Sequence, residues 1–123
     1  MSQVIVATYN LQEDQILKAV RASFPEARVL TVTGSRCDSI ILGHCERSNL
    51  LLLGERAAAE VLTAMHGRQI RLPVIVVCVH RLPETPPVAW GCDPRFDIGV
   101  CSYSGFAEDF APHVQRVRAA VAS

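Results

Sequence analysis

The chain has 123 residues, half of them hydrophobic and a fifth charged, with 12 basic and 12 acidic side chains that cancel. That size predicts a single domain over residues 1–123, and the charge balance excludes the broad positive field with which a domain binds nucleic acid unaided. The opening Met1-Ser-Gln-Val-Ile-Val-Ala7 has no charged leader, and the longest apolar runs, 50–53 and 74–79, are far too short to span a bilayer, so a cytoplasmic protein off the membrane is expected.

In chain order, residues 4–8 read as the first buried strand, short, apolar and bounded by polar residues. Asn10 with Glu13 three residues on predicts a capped helix start; Ile16, Leu17, Val20 and Phe24 then share a face, and Pro25 stops the helix. A second strand is expected over 28–32. The helix after it, 35–47, brings Cys37, Ile40, Ile41, His44 and Cys45 together. Residues 49–53 form a third strand, followed by a helix over 55–66 with Ala58, Val61, Leu62 and Met65 inward and Gly67 as its stop. Residues 73–79 form the fourth strand and 97–102 a weaker fifth, interrupted by Gly99. The last helix, within 106–122, carries Phe110, Val114, Val117 and Val121 at helical spacing, and Pro112 predicts that its regular part starts near Ala111.

One connection departs from the alternation. Residues 82–96 hold four prolines and a glycine in fifteen residues. Proline removes a backbone donor and restrains the residue before it, so the fourth helix is expected to be short or replaced by a loop. Strands that lack polar alternation, separated by helices, predict an α/β fold: a doubly wound, five-stranded parallel sheet, a three-layer (βα)5 sandwich of the flavodoxin-like kind.

Five cysteines, an odd number with no C-x-x-C pair, predict buried reduced thiols, not a disulfide framework or a metal site. His44 and Cys45 with Cys37 raise the alternative of a metal site, but adjacent helical residues diverge by about 100°. No cofactor and no metal are expected.

Chemistry in such a sheet sits at the carboxyl ends of the strands. The loop after the first strand, Thr8-Tyr-Asn-Leu-Gln12, holds no glycine and cannot cradle phosphates as a glycine-rich turn does. Element order and spacing, with Asn49-Leu-Leu-Leu-Leu-Gly54 as third strand and Pro73-Val-Ile-Val-Val-Cys-Val79 as fourth, resemble the receiver domains of response regulators over essentially the whole chain. The resemblance implies a phosphorylation pocket, and its parts are missing together. Tyr9 and Asn10 stand for the acidic pair, Gly54 for the phosphoacceptor, Cys78 for the hydroxyl, and Ser102 has no lysine near it; the single lysine, Lys18, lies in the first helix. A shift of one residue would put Glu55 at the acceptor position as a fixed negative charge. The expectation is a degenerate receiver, a non-enzymatic signalling domain that meets a protein partner of a signalling pathway or a second copy of itself, with no nucleic acid and no membrane.

In receivers the region of the fourth helix and fifth strand meets partners, which implies a surface of Val88, Trp90, Arg95, Phe96 and Tyr103. Trp90 equally fits a lid folded over the sheet edge. Two further readings stay open: a flavodoxin-like small-molecule binder in which Tyr9, Trp90 and Tyr103 stack on a ring, and a thiol enzyme built on Cys78 with His80, which share a strand face.

Overall fold

The computed structural model describes residues 3–8, 14–32, 37–79 and 98–122, with the backbone alone at 37–40, 46 and 121–122. Strands β1 (Gln3–Ala7), β2 (Arg28–Thr31), β3 (Leu50–Gly54), β4 (Val74–Cys78) and β5 (Ile98–Ser102) and helices α1 (Asp14–Ser23), α2 (Cys37–His44), α3 (Glu55–Gly67) and α4 (Phe106–Ala122) follow in the order β1-α1-β2-α2-β3-α3-β4-β5-α4. All four strand pairings are parallel, in the order β2-β1-β3-β4-β5. Each strand lies within a residue or two of its expected position. The apolar runs are explained by burial on both faces: β3 and β4 are buried at every position.

The period of two along each strand sorts the core into two layers. Ile5, Ala7, Leu51, Leu53, Val74 and Val76 face Ile41, Leu42, Ala58, Val61, Leu62 and Met65 of α2 and α3. Val4, Val6, Leu50, Leu52, Ile75 and Val77 face Ile16, Val20 and Phe24 at α1, and Phe106, Phe110 and Val117 of α4. Removing each of the Val, Leu, Ile, Phe and Met side chains among them from water contributes about 1.5–3 kcal/mol. Phe110 stacks on Phe106 at 5.0 Å and meets Phe24 edge-on at 6.2 Å. Arg118 lies over the Phe24 ring at 4.9 Å and donates to the Ser23 carbonyl, tying α4 to the end of α1.

One expectation is corrected. The last helix begins at Phe106, not near Ala111, and Pro112 lies inside it. The buried pair Phe106 and Phe110 fixes the first turn against the sheet, and the Asp109 amide already donates to the Gly105 carbonyl at 3.0 Å. Packing outweighs the one helical hydrogen bond that Pro112 cannot donate. Helix α3 ends at Gly67, where its stop was expected, while the left-handed conformation falls on Gln69 (φ 56°), whose amide donates to the His66 carbonyl. The helix expected over 35–47 is α2 followed by a 3-10 turn at Cys45–Arg47. The proline-rich 82–96 lies outside the described residues.

β5 shows why its glycine is tolerated in a strand. Gly99 faces α4, and a Cβ there would stand 2.6 Å from His113 Cε1 and 2.7 Å from an Arg116 nitrogen. The missing side chain makes room for two large ones from the helix.

Candidate functional site

The sheet order reverses direction at β1, so the switch point lies between the carboxyl ends of β1 and β3. The register puts Gly54 beyond Leu53, which pairs with Ala7, and hence beside the buried Thr8. A Cβ on Gly54 would stand 2.8 Å from the Thr8 carbonyl oxygen and 3.1 Å from its carbon. Backbone, not a flexible side chain, occupies the space, so β1 fills the place where a side chain at position 54 would begin.

Glu55, the first residue of α3, reaches across to β4: its Oε1 accepts the Val79 amide at 3.0 Å. Cys78 lies beneath, buried, its thiol pushed up to about 11 by burial and by the Glu55 charge. A thiol held there stays protonated near neutrality, so it lacks the thiolate that nucleophilic chemistry requires. Its expected partner His80 lies outside the described residues, as do Tyr9, Asn10, Val88, Trp90, Arg95 and Phe96.

On β5 the structure brings together a pair absent from the sequence expectations. Asp109 Oδ2 accepts the Ser102 amide at 2.8 Å and the Ser102 hydroxyl at 2.7 Å, and the Ser102 oxygen accepts the Gly105 amide at 3.1 Å. These bonds, with a smaller contribution from His113, hold the Asp109 carboxyl below its ordinary range. A carboxylate so stabilised is a weak base, and the hydroxyl it holds is not activated for attack. The signal in the sequence was Ser102-x-x-Gly105 running into the acidic first turn of a helix, where carboxylates favour the amide-rich end.

Tyr103 is half-buried and packs against the core layer of α1 and α4. Its amide donates to the Cys78 carbonyl at 2.8 Å, and its own carbonyl accepts from Gln15 of α1. The edge thus gathers Gly54, Glu55, Cys78 and Ser102, with Tyr103 beside them.

Cys45, Cys78 and Cys101 are buried and outside any disulfide. Among the described residues no three His, Cys, Asp or Glu side chains are grouped to hold a metal ion, and no helix is long and apolar enough to cross a membrane.

No family model and no curated protein matches the chain. Solved structures do. The chain is similar to the Francisella novicida lysine decarboxylase LdcF (TM-score 0.67, 16% identity, 94% of this chain and 17% of that one). It is similar to a cobalamin-binding protein of Desulfitobacterium hafniense DCB-2 (TM-score 0.65, 16% identity, 94% of this chain and 58% of that one). It is also similar to the isolated REC domain of RcsB from Salmonella enterica serovar Typhimurium (TM-score 0.58, 13% identity, 95% of this chain and 88% of that one). The chain thus spans less than two thirds of the first two proteins and most of the third. Together with the parallel β2-β1-β3-β4-β5 sheet, these likenesses establish a flavodoxin-like, receiver-like α/β fold.

Proposed function

We propose that this is a receiver-like signalling domain that takes up no phosphate and acts by binding a protein partner or a second copy of itself. The observation that carries the reading is Gly54. At the position matching the phosphoacceptor there is no side chain, and a Cβ would meet the Thr8 carbonyl at 2.8 Å. Support comes also from the neighbouring groups, each engaged within the fold: Glu55 with the Val79 amide, Ser102 with Asp109, and Cys78 as a protonated thiol. Phosphoryl transfer in this setting is positioning and charge neutralisation by carboxylates, metal and lysine, and these parts are not assembled among the described residues.

The proposed partner surface joins Tyr103 to Val88, Trp90, Arg95 and Phe96. A chain stretch stiffened by proline loses less freedom on association. Mass spectrometry after incubation with Mg²⁺ and acetyl phosphate tests the first half: the mass stays unchanged, and an acid-labile adduct on a carboxylate overturns the reading. Sedimentation of Trp90→Ala tests the second: self-association or partner binding weakens by more than about 1 kcal/mol with the circular dichroism of the parent. If the variant unfolds, Trp90 belongs to the core.

A small-molecule-binding domain is the second reading, favoured by the likeness to the cobalamin-binding protein. Of the three aromatic residues it would use, Tyr103 is packed against the core. Added cobalamin with an unchanged absorbance spectrum after gel filtration excludes that ligand.

A further inference from the structure

The Cys78 carbonyl and the Val79 amide belong to one peptide group, and the fold holds it from both sides. The amide donates to Glu55 of α3 at 3.0 Å, while the carbonyl accepts from the Tyr103 amide, beyond the end of β5, at 2.8 Å. The Tyr103 carbonyl, which belongs to the next peptide group, accepts from Gln15 of α1. Two hydrogen bonds therefore run in series through the Cys78–Val79 peptide, from α3 across the end of β4 to the β5–α4 turn.

Such a series is directional. A charged acceptor on the N–H of an amide draws electron density toward its C=O and makes that oxygen a stronger acceptor, so bonds in a chain strengthen one another. The bond from Val79 is charge-assisted, with the 3.0 Å length of an ordinary amide hydrogen bond. Its loss removes the polarisation of the same peptide group that holds Tyr103.

We propose that the Cys78–Val79 peptide is a relay that couples the Glu55 carboxylate to the Tyr103 amide. The inference deepens the proposed function: it rests on that reading only in taking Tyr103 as part of the partner surface, and it makes Glu55 the residue that sets how firmly this part is presented. The coupling itself stands on the hydrogen bonds.

Amide hydrogen exchange and chemical shifts on the ¹⁵N-labelled full chain test this. In Glu55→Ala the Val79 amide exchanges about tenfold faster or more, the loss of a bond to a charged group. The Tyr103 amide exchanges about twofold faster, with a shift displacement in the same variant. The Ser102 amide, held by Asp109, is the local control and stays at the parent rate. Glu55→Gln, which keeps the acceptor oxygen and removes the charge, gives displacements of the same sign and smaller size at both amides. A Val79 effect with Tyr103 unmoved in both Glu55 variants overturns the relay. So does equal acceleration at Val79, Tyr103 and Ser102 in Glu55→Gln, which would report general loosening. These outcomes are independent of phosphate uptake, so the relay and the proposed function fail separately.

Discussion

Asp109 binds Ser102 twice, accepting the amide at 2.8 Å and the hydroxyl at 2.7 Å with a single carboxylate oxygen. This double bond of strand end to helix start closes the β5–α4 turn, and the Gly105 amide completes it by donating to the same hydroxyl.

Acid should therefore weaken the fold through Asp109. Its carboxyl is held below the ordinary aspartate value of 3.8, first by the Ser102 amide and then by the Ser102 hydroxyl. A depressed pKa contributes stability that is present above the unfolded value and is lost as pH falls through the folded one. The melting temperature of Asp109→Asn is accordingly lower than that of the parent near pH 7, and the gap narrows below about pH 4. Calorimetry on both proteins from neutral to acid pH reads the gap; a gap independent of pH would remove Asp109 as the cause.

Alkali should act through the buried thiols. Burial raises Cys45 and Cys78 to about 11 and Cys101 to about 12, with Glu55 adding to Cys78 and Asp109 to Cys101. A raised thiol pKa leaves stability intact below the unfolded value of 9.0 and erodes it as pH climbs toward the folded one. Stability falls steadily above about pH 9. A thiol reagent near neutrality leaves these three cysteines unmodified until denaturant is added, and rapid labelling of Cys78 in the folded protein would revive a thiol-based activity.

Leu52 is fully buried, paired with Val6 and Ile75 in the middle of the sheet. Leu52→Ala costs about 2–5 kcal/mol, the lost transfer energy plus the cavity left behind. Urea denaturation measures it, and an unchanged midpoint would mean that the strand can close over the gap.

Gly54→Ala is a small change with a backbone consequence. Its methyl group would approach the Thr8 oxygen to 2.8 Å, closer than real contacts allow, so β1 and β3 must separate locally. A cost of about 1–3 kcal/mol is expected, as for overpacking elsewhere. Thermal melting checks it; a variant as stable as the parent would show that Thr8 moves easily.

Much of the fold was legible because the strands of a parallel sheet are buried on both faces, and Leu50–Gly54 and Val74–Cys78 advertise that as unbroken apolar runs. Helix ends were harder to read. Pro112 signalled a boundary by local rules, yet the boundary was set by where Phe106 and Phe110 pack, which only the tertiary contacts decide. The strand-end positions Gly54, Cys78 and Ser102 could be named from the sequence because topology alone brings them to one edge. Their partners could not. Glu55 bonds a backbone amide 24 residues away, which no motif marks, and Asp109 reaches back seven residues across a turn, a bond hinted at only by Ser102-x-x-Gly105 before an acidic first turn.

The close approach of Thr8 to Gly54 also bears on how this chain can change over generations. An aspartate codon lies one nucleotide from a glycine codon, so a carboxylate at position 54 is within easy mutational reach. Its first carbon would nonetheless collide with the neighbouring strand before any chemistry could be gained. The spacing of the two strands thus sets a structural cost on the simplest single step toward an acidic strand end, because the backbone at Thr8 or at position 54 must shift to admit the new carbon.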